Sequence, residues 1–237
     1  MRKVIVSNNV TLDGRVDEVR DWALSYDDDE SVKYHTDLLS HSDGLLFGRR
    51  TYEFFAALFP SRSGEFPYVD QINGMAKYVA STTLKDLEWE NSHLIGGDVP
   101  EAVATLKQQP GQDLIMYGCH DLMHSLLKHE LIDEYRLWVY PVVLGKGRSF
   151  FKDGVERMAL DLVDATMIPP GVAILTYRNG KQASPSARGR TSEPSAARLV
   201  SMRLVVQRTA EVAVGELGQL VEVDAVAGQA AVERVGL

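Results

Sequence analysis

The segment from Asp113 to Phe151, DLIMYGCHDLMHSLLKHELIDEYRLWVYPVVLGKGRSFF, changes its hydrophobic period twice, and few folds accommodate that order. A short apolar run, Leu114 to Tyr117, lies between Gly111 and Gly118 and has the length of a buried strand. Leu122, Met123, Leu126, Leu127 and Leu131 then recur at helical spacing, which predicts a helix from about Asp121 to His129 with one apolar face. A longer apolar run, Tyr135 to Leu144, predicts a second strand. Strand, glycine turn, helix and strand make the βαβ unit of a parallel sheet.

The glycine turn is the place for chemistry in such a unit. Glycine lets another molecule approach the backbone closely, and the free N–H groups of a first helical turn attract anions. Gly118 therefore marks either a site for a phosphate-bearing ligand or a plain tight connection.

The rest of the chain repeats the theme. Lys3 to Ser7 is a strand candidate that runs into a loop, Asn8 to Gly14, where Asp13-Gly14 signals a turn. Asp27 to Glu30 precede a helix from about Ser31 to His41, and acids there complement the helix dipole. Gly44 to Phe47 is a short buried strand followed by Gly48-Arg49-Arg50-Thr51, again strand, glycine and helix. Two arginines beside a helix start strengthen the anion reading, with a surface pair as the alternative. Lys77 to Ala80 is a further strand that ends at Ser81, and Leu94-Ile95 precedes Gly96-Gly97. Asp98 three residues before Glu101 marks the start of a helix that reaches about Gln108. Ala159 to Thr166 and Val172 to Arg178 are the last strands, joined by Pro169-Pro170-Gly171. The pattern amounts to about eight strands and four or five helices, alternating until the sheet finishes antiparallel.

Past Arg178 the chain changes character. Residues 179 to 197, NGKQASPSARGRTSEPSAA, hold no apolar side chain larger than alanine and read as a disordered linker. Residues 199 to 237 are rich in valine but contain no Trp, Tyr or Phe. The working domain is thus expected over 1–178, with 179–237 a disordered or weakly structured extension.

A formal net charge of −8 over 237 residues argues against nucleic acid as a partner. A single cysteine leaves no intrachain disulfide framework, and no run reaches membrane-spanning length, so a soluble cytoplasmic protein is expected. Among the six histidines only His120 and His124 have a ligand-like spacing, and with no evident third ligand no metal is expected.

Four stretches in order carry a resemblance. They are Val10 to Gly14, Leu46 to Glu53, Lys77 to Leu84, and Ile132 to Leu137 with Pro141 to Gly147. Over roughly residues 1 to 178 they resemble the dihydrofolate-reductase-like superfamily, most closely its riboflavin-biosynthesis reductase branch, the RibD C-terminal domain. The resemblance implies a three-layer α/β fold with a mostly parallel sheet of about eight strands. It also implies an NADPH-dependent reductase that functions as a homodimer.

In that family the segment like Gly48-Arg49-Arg50-Thr51 holds cofactor phosphates, with Arg49 toward the 2′-phosphate and Thr51 toward the pyrophosphate. Ser81 matches a serine near the adenosine phosphate, and Gly118, Cys119 and His120 match the second pyrophosphate loop, where the family commonly has Gly-Ser. Asp13 is the candidate catalytic residue, as a substrate contact or proton relay, with a plain turn aspartate as the alternative. In the riboflavin branch the substrate is an aminopyrimidine carrying a ribosylamino phosphate. Two other readings stand beside a reductase of that type or a related orphan reductase. A true dihydrofolate reductase needs a buried carboxylate on its first long helix, where Asp37 is the only acid inside the stretch. A non-enzymatic cofactor-binding module is the third.

Overall fold

Eight strands and six helices occupy the residues that the computed structural model describes, which are 1–26, 28–118 and 120–180. β1 (Val4–Thr11) leads through the short α1 (Val19–Ala23) into α2 (Asp29–Ser40) and β2 (Ser42–Gly48). α3 (Arg49–Leu58) and α4 (Pro67–Gly74) separate β2 from β3 (Ala76–Ala80). β4 (Ser92–Ile95), α5 (Val99–Gln108), β5 (Asp113–Tyr117), α6 (His120–Leu127) and β6 (Glu134–Tyr140) follow. β7 (Leu160–Ile168) and β8 (Val172–Asn179) come last. The extension after Gly180 lies outside the described residues.

One sheet takes all eight strands in the order β4-β3-β2-β5-β1-β6-β8-β7. Only β8 runs against the others, pairing antiparallel with both β6 and β7. This is the three-layer, mostly parallel α/β architecture that the resemblance implied. Leu45, Leu46 and Phe47 are all fully buried, because a central parallel strand is covered on both faces and has no reason to alternate. On one face Val4, Val6, Leu46 and Met116 meet Val103 of α5 and Leu122, Met123 and Leu126 of α6. On the other, Ile5, Leu45, Phe47 and Ile115 meet Leu38 and Leu39 of α2, Tyr52 of α3, and Val69 and Ile72 of α4. Truncating a side chain such as Leu126, which has no exposed surface, to alanine costs about 2–5 kcal/mol.

Helix starts follow the expected chemistry. Asp28 accepts from Ser31 N at 2.8 Å and Ser31 Oγ accepts from Asp28 N at 3.0 Å, a reciprocal cap for α2. Asp98 Oδ1 accepts from Glu101 N at 3.0 Å at the start of α5.

Several boundaries differ from the sequence expectation. β5 and β6 are not neighbours: β1 lies between them and pairs in parallel with both. The crossover through α6 therefore spans one intervening strand, which periodicity cannot reveal. β1 continues through Asn8 and Asn9 to Thr11, because pairing with Leu137 to Tyr140 overrides the poor strand preference of asparagine. β6 ends at Tyr140, one residue before Pro141, which has no N–H for a ladder. α1 and α4 lie where no helix was expected. α4 has Pro67 in its first turn and buries only Val69 and Ile72, too few apolar residues for a clear period.

Candidate active site

The carboxyl ends of β3, β2, β5 and β1 form one edge of the sheet, and the predicted residues gather there because these strands are neighbours. Gly48, the last residue of β2, stands opposite Ala80 at the end of β3, so Arg49 and Ser81 begin side by side. β5 borders β2 on the other side and ends at Tyr117, one residue before Gly118. The two glycine turns touch: Thr51 Oγ1 donates to Gly118 O at 3.1 Å.

Gly118 has φ +52°, a left-handed conformation that glycine adopts freely and a side chain adopts only with strain. A Cβ there would stand 3.6 Å from Thr51 Cγ2 and Oγ1 and 3.9 Å from Asn8 Oδ1. The bare backbone of Gly118 thus leaves a recess between β1 and the start of α3. Gly48 is the N-cap of α3 and contributes no side-chain cap, so no side chain from that position covers the first-turn N–H groups.

Arg49 leans toward β3. Its Nε donates to Glu53 Oε1 at 2.7 Å and its Nη1 to Thr83 Oγ1 at 2.7 Å, and about half of the side chain remains exposed. Ser81 Oγ accepts from Leu84 N at 3.0 Å and Thr83 N at 3.2 Å, which folds the loop so that Thr83 meets Arg49. Gly48, Arg49, Thr51, Ser81 and Gly118 are therefore brought together. Thr83 and Glu53 belong to the same cluster and were not singled out from sequence, although both lie inside the quoted motifs.

Arg50 helps to hold the Asp121 carboxyl on α6 below its ordinary value, behind the larger effect of the Lys152 hydrogen bond. The His120 ring faces away, with its Nε2 on Ser149 O at 2.9 Å. His124 Nδ1–H donates to His120 O and its Nε2 accepts from Lys152 N at 2.9 Å, which defines a neutral tautomer. Both histidines anchor the chain that follows Gly145. The His120 backbone N–H donates to Gly118 O at 3.3 Å, and Cys119 lies outside the described residues. Among the described residues no group of three His, Cys, Asp or Glu side chains could hold a metal ion.

Asp13 has a defined task. Its Oδ1 accepts from Thr11 Oγ1 at 2.5 Å and Leu144 N at 3.3 Å, and its Oδ2 from Gly145 N at 2.9 Å. The Thr11 hydroxyl, followed by the two backbone donors, holds its pKa down to about 2. A carboxylate so held stays ionised near neutrality. It ties the loop after β1 to the loop after β6, over the same edge of the sheet.

An aromatic group gathers on the α2 and α4 side and includes Tyr117, the residue before Gly118. The His35 ring stacks on Trp138 at 4.3 Å and 9°, with Tyr68 at 5.4 Å and Tyr117 at 6.5 Å. Burial depresses the His35 pKa to about 4, so the ring is neutral near pH 7. In the sequence His35 is one histidine on a polar helix, and its aromatic partners come from three distant segments. Asp37, two residues after His35 on α2, is exposed and lines a cavity of about 320 Å³ at the amino edge with Ile5, His41, Ser42 and Arg136. That is the opposite end of the strands from Gly118. A larger groove of about 680 Å³ runs between β4 and α5, and its rim at Ile95, Gly96 and Asp98 adjoins the end of β3.

Strand order, glycine turns and the bridging Thr51 define a dihydrofolate-reductase-like α/β domain. The model of the family described as RibD C-terminal domain matches residues 2–174, and the chain belongs to that family. Two relatives from Bacillus subtilis (strain 168) are similar along most of their length. One, "Uncharacterized protein YyaP", is 31% identical over 185 residues, covering 74% of this chain and 94% of the relative. The other, "Uncharacterized protein YwjB", is 30% identical over 164 residues, covering 68% and 89%. Among solved structures, a putative riboflavin biosynthesis protein from Shewanella sp. PV-4 has TM-score 0.62 at 22% identity, covering 76% of this chain and 100% of its own. A Thermotoga maritima diaminohydroxyphosphoribosylaminopyrimidine deaminase/5-amino-6-(5-phosphoribosylamino)uracil reductase has TM-score 0.55 at 14% identity, covering 76% of this chain and 57% of its own. At these identities the solved structures share the fold.

Proposed function

We propose that this domain is an NADPH-dependent reductase that delivers hydride to a small planar heterocycle bound against the His35 aromatic group. The observation that carries the reading is the convergence of two strand–glycine–helix turns on one edge, bridged by Thr51, with Arg49, Ser81 and Thr83 beside them. The residues fit the cofactor. The recess at Gly118 admits a pyrophosphate against backbone, and the start of α3 offers N–H groups and the positive end of its dipole. Arg49, with two of its N–H groups directed to Glu53 and Thr83, has others to donate to a 2′-phosphate. The groove rim at Ile95, Gly96 and Asp98 suits the adenine.

NADPH when bound supplies the hydride; the protein's part is position and exclusion of water. Gly118 and Arg49 would hold the phosphates, and Asn8, which flanks Gly118 on β1, would be available to the rest of the cofactor. A flat substrate then has His35 and Tyr68 beside it. The neutral imidazole of His35 donates or accepts a hydrogen bond without placing a charge there. Asp13, ionised and doubly anchored, holds the overlying loops. The riboflavin-type substrate remains first in order within this reading, followed by other heterocycles of an orphan reductase. Dihydrofolate reduction falls behind, since Asp37 lies at the far edge of the sheet.

The test is titration of NADPH and NADH into the full chain, followed by a scan of NADPH oxidation against the phosphoribosylamino pyrimidine, dihydrofolate, and panels of quinones and ketones. Binding of NADPH in preference to NADH, with turnover of one heterocycle, is the expected result. Failure to bind NADPH at millimolar concentration overturns the proposal.

A further inference from the structure

The cavity beside Asp37 lies beneath the second half of α2, where β1 and β5 begin. Its volume of about 320 Å³ stands at the lower end of the range for small-molecule sites. Ile5 below and Leu38 above, both almost fully buried, make its middle apolar. The two walls carry opposite charge. On the β6 side stands Arg136, its side chain 25% exposed and its Nε donating to Glu134 Oε1 at 2.8 Å. Arg178 Nε donates to the other oxygen of Glu134 at 3.0 Å, so two guanidinium groups share one buried carboxylate and a positive charge is left over. The Tyr34 hydroxyl takes a further bond from Arg136, and a guanidinium with five N–H groups has more to give. On the β5 side Asp113 N donates to His41 O at 3.3 Å, and His41 Nδ1 hydrogen-bonds to Asp37 O at 2.9 Å. These contacts set Asp113 and Asp37 along one wall. Asp113 Oδ1 accepts from Lys3 N at 2.8 Å, whereas the Asp37 carboxylate makes no hydrogen bond or ion pair among the described residues.

We propose that this cavity binds a small zwitterion of amino-acid type, with its carboxylate on Arg136 and its ammonium between Asp37 and Asp113. The sheet sets the span. β1 separates β5 from β6, so the two walls stand two strand spacings, about 10 Å, apart at the backbone. Side chains that reach inward from both walls shorten this to the length of a small molecule charged at both ends. A simple anion would face the two carboxylates and a simple amine would face Arg136, so each is opposed at one wall. A zwitterion forms charge-assisted hydrogen bonds at both, and its carbons lie against Ile5 and Leu38. The site needs neither Gly118 nor Arg49, and it stands whether or not the other end of the strands holds a cofactor.

Isothermal titration of the full chain with the standard amino acids, and with a series of ω-amino acids of increasing length, tests this. At least one is expected to bind with a dissociation constant below about 1 mM. Its N-acetyl and amide derivatives, each lacking one of the two charges, should bind about tenfold more weakly or worse. Asp37→Asn and Arg136→Gln should each weaken the zwitterion about fivefold or more, with melting curves to confirm folding. Asp37 is exposed, so its variant folds even if Arg136→Gln, which strips a partner from buried Glu134, does not. No binding of any of these compounds up to about 10 mM overturns the proposal. An N-acetyl or amide derivative that binds as well as its parent would make the cavity a site for a plain anion or a plain amine, and equally overturns it. Binding that ignores Asp37→Asn does so too, because the ligand then lies elsewhere on the chain.

Discussion

Replacing Arg49 with alanine separates recognition of the 2′-phosphate from general cofactor binding. In the structure the guanidinium is held by Glu53 and Thr83, each at 2.7 Å, with its side chain about half exposed. A charge-assisted hydrogen bond contributes about 1.5–3 kcal/mol to an association. Two features place Arg49 in the lower half of that range. Solvent reaches the side chain, and the Glu53 carboxylate already balances part of its charge. A loss of about 1.5–2 kcal/mol, at about 1.4 kcal/mol per decade, weakens NADPH roughly ten- to thirtyfold. NADH has no 2′-phosphate and should lose less than about twofold. Isothermal titration of both cofactors against wild type and mutant, at low and high salt, measures this. The NADPH loss should shrink at high salt, since the contact is partly screened. Glu53→Gln acts in the opposite direction, because it frees the guanidinium and should tighten NADPH severalfold. Equal losses for the two cofactors in Arg49→Ala would show that Arg49 serves the fold or the shared pyrophosphate. A wild type that prefers NADH would refute the reasoning from its first step.

Gly118→Val forces a branched side chain into φ +52°, at about 1–2 kcal/mol of backbone strain, and fills the recess beside Thr51. The melting temperature should fall by about 2–8 °C and NADPH binding should be lost, whereas an unchanged titration removes Gly118 from the site. Asp13 has its pKa lowered from 3.8 to about 2, so its contribution to stability is complete above about pH 4 and lost as pH falls toward 2. Asp13→Asn should flatten that acid limb in denaturant titrations, and a limb that stays unchanged would show the anchor to be inert. His35, lowered from 6.5 to about 4, binds a proton in the unfolded chain before it does so in the fold. Stability should therefore decline as pH falls from 6.5 to 4, and His35→Phe should remove that slope; a slope that persists would assign it elsewhere.

The sequence alone determined the class of fold and the local character of the site. Short apolar runs bounded by glycine, alternating with helical periods, admit little besides a parallel sheet covered on both faces. Gly48-Arg49-Arg50-Thr51 and Gly118 carried the expectation of an anion site, because glycine before a helix start can be read locally wherever the strand lies. Such signals are local: each is complete within a few residues. What the sequence left undecided depends on contacts between distant residues. Nothing near Tyr117 or Tyr135 says that β1 lies between their strands, and that insertion places Asn8 beside Gly118. The two arginines are equivalent as letters, yet a helix turns successive side chains by about 100°, so Arg49 meets Thr83 while Arg50 lies toward Asp121. Asp13 read as a possible acid until the loop from Pro141 to Gly147 supplied two N–H donors to hold it ionised. His35 lacked any signal, since burial depresses its pKa and the rings of Trp138, Tyr68 and Tyr117 come within reach only in the folded chain. Propensity and capping act over one turn of chain, whereas desolvation and register exist only once strands have found their neighbours.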